Sequence, residues 1–236
     1  MQGWRAVIAD ADGHLWAAAA DGSHVVQCDG EGRILERHEV SAPIVALAPS
    51  SAGTAAFALD RGGAVRELGS AADPVIVSGT CLAVDHPGGR VFAGGVAGVA
   101  ALAGGAPLWQ RPAAVVAICL GADRRRLYVV DGSELTELDA STGAARIVAH
   151  LPGRTVISLA LAPGGLVGVD PGRRAVIGIN LRHGTSTTIF TGDWADPAGV
   201  TYLRSRDVYL LADASAPVLT LVSRDGSTAR PLPLRY

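Results

Sequence analysis

The chain has 236 residues, is 49% hydrophobic but only 5% aromatic, and carries a formal charge of −2. With 20 cations against 22 acids it lacks the basic excess that displaces counterions from nucleic acid, so no nucleic-acid partner is expected. No apolar run approaches the ~18 residues of a membrane span, which argues for a soluble protein with no membrane partner.

Every cation is an arginine, and with the abundance of alanine and glycine this reads as the coding bias of a GC-rich bacterium. Acidic residues begin at Asp10 with no apolar leader before them, so a cytoplasmic protein is expected. Cys28, Cys81 and Cys119 are odd in number, widely spaced and set in or beside apolar runs. Buried free thiols are expected there, not disulfides or a metal cluster.

Residues 6–40 set a ruler for the rest. Four strand-like runs, A to D, fall at 6–9, 14–20, 24–28 and 33–40, separated by Asp12-Gly13, Asp21-Gly22 and Asp29-Gly30-Glu31-Gly32. The same order returns at 44–48, 54–59, 64–68 and 74–78. A third repeat runs 81–85, 90–93, 98–102 and 106–109, rich in Gly and Ala. The fourth runs 115–120, 126–130, 134–138 and 144–150, and the fifth 156–161, 165–169, 175–180 and 186–191. The sixth runs 199–203, 207–211, 217–222 and 228–234.

An aspartate closes strand B in five repeats: Asp21, Asp60, Asp131, Asp170 and Asp213. Repeat three has Gly94-Gly95 instead. Asp21 to Asp213 spans 192 residues in five steps, about 38 per repeat, which is propeller-blade spacing. Such an Asp is expected to accept backbone N–H groups and hold the B–C turn closed. Trp16 falls in strand B, with counterparts in Tyr128 and Tyr209. The chain is therefore expected to be all-β, one six-bladed β-propeller with four antiparallel strands per blade. Its blades fall at about 4–40, 44–78, 81–111, 115–150, 156–191 and 199–236. Each terminus completes its own blade, so closure is expected to rest on packing between repeats one and six.

Two stretches carry a family likeness. Asp10-x-Asp12-Gly13-x-Leu15-Trp16, with Val25-Val26-x-x-Asp29-x-x-Gly32-Arg33-Ile34-Leu35, resembles blades of the gluconolactonase/regucalcin (SGL) superfamily and of virginiamycin B lyase. Gly165-Leu-Val-Gly-Val-Asp170-x-x-x-Arg174-Ala-Val-Ile-Gly-Ile-Asn180, with Thr187-Thr188-Ile189-Phe190-Thr191-Gly192, resembles an NHL repeat. The first resemblance implies, for its lactonase branch, a divalent cation held in the channel by Glu, Asn and Asp. The position matching that Asp is Arg5, and the one asparagine, Asn180, ends a strand C beside a C–D turn. No metal and no other cofactor is expected. The lyase branch implies a His and Glu pair by the channel. Here His38-Glu39 fall in a strand D, where solvated edge residues are expected.

In a propeller the D–A and B–C loops share one face and ring the channel mouth. Arg5, Arg111 and Arg154 fall in D–A segments and Arg61 beside a B–C turn, as planar cations suited to carboxylate or phosphate. The loop Thr191-Gly-Asp-Trp-Ala-Asp-Pro-Ala198 offers Asp193 as general base, and Trp194 either packed under the loop or walling a ligand. His24 and His150 are the imidazoles of that face, His24 the catalytic candidate. Two functions are therefore expected to compete. One is a lactonase-, lyase- or cyclase-like enzyme using metal-independent acid–base chemistry on a small anionic substrate. The other is a non-catalytic binding or scaffold module for a protein or metabolite. A monomer is expected in either case.

Overall fold

Short aliphatic runs broken by glycine turns cannot build helices of any length, and the computed structural model, which describes residues 3–50 and 55–236, resolves them into six four-stranded sheets. Blade one holds β1 (Trp4–Ala9), β2 (Leu15–Ala19), β3 (His24–Cys28) and β4 (Ile34–Glu39). Blade two holds β5 (Ile44–Pro49), β6 (Ala56–Asp60), β7 (Ala64–Glu67) and β8 (Val75–Ile76), and blade three β9 (Cys81–Asp85), β10 (Arg90–Gly95), β11 (Gly98–Ala103) and β12 (Ala106–Arg111). Blade four follows with β13 (Ala117–Leu120), β14 (Arg126–Asp131), β15 (Glu134–Asp139) and β16 (Ala145–His150). Blade five has β17 (Ser158–Ala162), β18 (Gly165–Asp170), β19 (Ala175–Asn180) and β20 (Thr185–Thr191). Blade six has β21 (Pro197–Leu203), β22 (Val208–Asp213), β23 (Val218–Ser223) and β24 (Ala229–Pro233). Each sheet pairs its strands in chain order, antiparallel throughout. The innermost strands touch in sequence, β1 to β5 and on to β21, and β21 returns to β1. The fold is a six-bladed β-propeller, as expected.

The blade interiors explain why the sequence is rich in alanine. β2 is buried at every position, and its side chains alternate between two seams. Leu15, Ala17 and Ala19 enter the cluster shared with blade six, and Trp16 and Ala18 the cluster shared with blade two. Each of the six apolar clusters is shared by two neighbouring blades in this way. Small side chains let sheets approach closely, so the core is six thin seams around the ring, not one central mass.

Some edges shift. The expected start of strand B at 54 lies outside the described residues. β8 shrinks to two residues because Pro74 lacks an N–H to pair, while β12 runs on to Arg111. The outer strands mostly face solvent, yet His38 does not: its side chain is 11% exposed and stacks on Trp16 at 5.5 Å. The expectation of a solvated His38 is corrected, because β4 turns this residue into the seam with blade two. Glu39 is exposed and pairs with Arg37 at 2.6 Å.

Both termini complete their own blades, and the closing seam holds Trp4, Val7, Leu15, Leu210, Leu219 and Leu232 among others. Packing is not the whole of closure. Beyond β24 the chain crosses to blade one, where the Ile34 N–H donates to the Arg235 carbonyl at 2.7 Å and the Arg235 N–H to the Gly32 carbonyl at 2.9 Å. Arg206 adds a bond from Nη1 to the Gly30 carbonyl at 2.6 Å. Among the described residues the only helical backbone is a single 3-10 turn at Pro171–Arg173 and another at Arg204–Arg206. No helix is long and apolar enough to cross a membrane.

Candidate functional site

The five aspartates that close strand B on the D–A/B–C face do different jobs. Asp21 accepts the Ser23 N–H at 2.9 Å and Asp60 the Ala64 N–H at 2.9 Å, so both hold turns. Asp213 is buried and accepts the Ser215 N–H at 2.8 Å, then the N–H groups of Ala195 at 3.0 Å and Asp196 at 3.3 Å. It thereby clamps the loop of Asp193 onto blade six. Asp170, 1% exposed, instead faces two guanidinium groups, Arg173 at 3.4 Å and Arg154 at 3.7 Å. Asp131 is pushed above the usual carboxylate range, first by burial and then by Glu134.

The site candidates fall into place around this ring. Trp194 lies under its loop, 8% exposed, tilted against Phe190 at 5.6 Å and packed among Val167, Val176, Val200 and Leu211. Of the two roles open to it, packing is the one its surroundings fill. Asp193 beside it is exposed. His24 begins β3, partly buried, edge-on to Trp4 at 5.9 Å and joined to the Ser23 hydroxyl at 2.9 Å. Burial first, and the Arg37 charge second, hold its pKa below the ordinary value, so the ring is neutral at neutral pH.

Arg5 is exposed on β1 and donates from Nε to the Ala20 carbonyl at 3.1 Å. Arg61 and Arg111 are exposed, in the B–C turn of blade two and at the end of β12. Arg154 is 14% exposed, with Nη2 3.4 Å from the Thr188 hydroxyl and a buried Nη1 that makes no hydrogen bond. The fold brings the Asp193 loop, the Asp213 turn, Trp4 and His24 into adjoining parts of blades six and one, while Arg61, Arg111 and Arg154 stand elsewhere around the ring. Among the described residues no hydrogen bond or ion pair links any of these candidates to another.

A gluconolactonase-type cation does not fit the residues present. No three His, Cys, Asp or Glu side chains among the described residues converge as a metal site requires. Asn180 is occupied in its own turn, accepting the Arg182 N–H at 2.9 Å and the His183 N–H at 3.1 Å. Burial pushes all three thiols up to about 12, which leaves them protonated and poor nucleophiles at neutral pH. The grooves of the opposite face are self-neutralised. One of about 480 Å³ has Arg126 on Asp123 at 2.7 Å and Arg146 on Glu137 at 2.9 Å.

Sequence reasoning passed over one feature of the D–A/B–C face. Where the other blades place a polar or charged B–C turn, blade three presents Gly95-Val96-Ala97-Gly98, with Val96 92% exposed. The signal was the missing strand-closing Asp of the third repeat, which the sequence shows only as an irregularity.

No protein-family model matches the sequence, and no curated protein does. Among solved structures, a chain in the crystal structure of a nidogen/laminin complex superposes with a TM-score of 0.75 at 15% identity, covering 93% of both chains. The WD40 β-propeller domain of Doa1 follows with a TM-score of 0.68 at 12% identity, covering 97% of this chain and 81% of that one. At such identities the likeness is one of fold, and it places the chain among the β-propellers.

Proposed function

We propose that the chain is a non-catalytic propeller module that binds a protein partner through its D–A/B–C face. The observation that carries this reading is the fate of the anion-binding and acid–base candidates. Arg154 is drawn into an ion pair with Asp170, Trp194 is packed in a seam, and Asp193 and His24 make no contact with each other. Acid–base catalysis needs its groups within about 3 Å of the proton they move, or one water away. The likeness to a propeller from a nidogen/laminin complex favours a protein partner over a metabolite.

A second reading keeps the small-molecule enzyme. It draws on the buried Arg154 Nη1 without a hydrogen bond and on exposed Asp193, with Arg5, Arg61 and Arg111 as further anion contacts and His24 as a second catalytic group. A thermal-shift screen of carboxylates, lactones and phosphates, with and without Ca²⁺, separates the two. The module reading expects no compound to raise the melting temperature appreciably, because nothing binds the native state selectively. A saturable shift with one of these anions, lost in Arg154→Ala, would favour the enzyme.

A further inference from the structure

We propose that blades two and three carry, on the D–A/B–C face, a docking surface for an acidic and apolar segment of a partner protein. The inference rests on the module reading above and says where the partner sits and what it is made of. The surface is continuous. The Val77 N–H donates to the Gly63 carbonyl at 2.8 Å, joining the turn of Arg61 to the segment before β9. The Thr80 N–H donates to the Gly94 carbonyl at 2.7 Å, and the Val115 N–H to the Gly95 carbonyl at 2.9 Å. The blade-three turn thus sits between 79–80 and 111–115. A β-carbon on Gly98 would run into the Arg111 carbonyl, so the turn is pressed close against the chain leaving β12.

Its chemistry differs from the rest of the face. Val96 is 92% exposed and Val116 44%, and Ala97, Pro112 and Ala114 are exposed beside them. Isolated exposed aliphatics need no explanation, but several together on adjoining loops mark an interaction site. Through 40–43, 60–63, 77–80, 95–98 and 111–116 the charged residues are Asp60, Arg61 and Arg111. Asp60 is 7% exposed and engaged with the Ala64 N–H, which leaves two exposed guanidinium groups to set the sign of the sector. Acids border the sector in the next turn, where Asp131 feels the charge of Arg111 and Glu134 pairs with His150 at 3.4 Å, so Arg61 is the guanidinium set farther from them. A partner segment that buries apolar side chains on Val96 and Val116 while offering carboxylates to Arg61 and Arg111 satisfies both features. A basic segment would leave those arginines facing like charge.

The test is selection from a displayed library of random peptides of about twelve residues against the whole chain. Enriched peptides should combine Leu, Ile, Phe or Trp with Asp or Glu. They should lose about tenfold or more in affinity for Val96→Asp and for Arg61→Glu/Arg111→Glu, and weaken with salt. Amide shifts in the isotope-labelled protein should cluster at 79–80, 95–98 and 111–116. Val96 is too exposed for its replacement to disturb the fold, and the arginine variant tests the surface independently of it. Basic or purely polar peptides, no enrichment, or binding that both variants leave unchanged would overturn the proposal. Peptide binding mapped to another part of the molecule would reject this surface while leaving the module reading intact. Turnover of a small molecule with no peptide binding would reject both. A dimer that Val96→Asp dissociates would give the surface to a second copy of the chain and overturn the partner assignment.

Discussion

Asp170 and Asp21 occupy the same place in their repeats, yet the structure gives them unequal weight. Asp21 is exposed and holds one turn; Asp170 is buried and compensates Arg154, itself only 14% exposed. Asp170→Ala should therefore cost about 3–5 kcal/mol, since it strands a buried guanidinium, whereas Asp21→Ala should cost about 1 kcal/mol. Denaturant midpoints at constant m-value measure both. Asp131 should behave in the opposite sense. Burial and Glu134 raise its pKa in the folded state, so its ionisation opposes folding, and the penalty grows as pH rises from the unfolded value of 3.8 through the folded one. Asp131→Asn should be the more stable protein at pH 7, with the difference vanishing below that unfolded value. A stability difference that persists unchanged at low pH would contradict the assignment. The sequence locates all five aspartates because turn chemistry is local. It cannot say which of them receives a guanidinium, because Arg154 arrives from a different loop.

At the scale of strands and turns, the seams decide stability. Period-two alternation predicts which side chains enter them, but only once register is known. Trp16 and Tyr128, five and three residues before their closing Asp, face the following blade, whereas Tyr209, four before Asp213, faces the preceding one, so Tyr209 is not their counterpart and parity counted from the Asp shows it. His38 was misread for a different reason: strand D looked like an outer edge, and the stacking of Trp16 on it is visible only in three dimensions. The seam between blades two and three is the weakest at its rim. Elsewhere a C–D turn leans on the outer strand of the blade before it, as Gly143 does on Trp109 and Gly184 on the Val148 carbonyl. In blade three a β-carbon on Gly104 or Gly105 would meet nothing within 4 Å, and the outer strand it should cover, β8, is two residues long. Native-state hydrogen exchange should therefore open β8 before any other outer strand, at a free energy well below global unfolding. Uniform protection across β4, β8 and β12 would count against this.

For the whole molecule, the strand order of a blade was legible from the first 40 residues, the repeat length from the spacing of Asp21 to Asp213, and the absence of a shared blade from repeats one and six together. The latch was not, because the Arg235 backbone pairing with Gly32 and Ile34 leaves no pattern in the side chains. Removing residues 234–236 eliminates two backbone hydrogen bonds across the closing seam together with the packing of Leu234 on it, and should cost about 2 kcal/mol or more, at least roughly 4–8 °C in melting temperature. A truncated chain that melts with the full one would assign closure to packing alone. On the D–A/B–C face, the proposed module reading makes the residues that look catalytic framework or solvated surface. Its most direct test is turnover of a panel of lactones and small carboxylate esters by the whole chain and by Asp193→Asn, with melting temperatures recorded alongside. Neither protein should turn over any compound above buffer, and the two should be equally stable. Turnover by the wild-type chain that Asp193→Asn abolishes without a change in melting temperature would contradict the module reading.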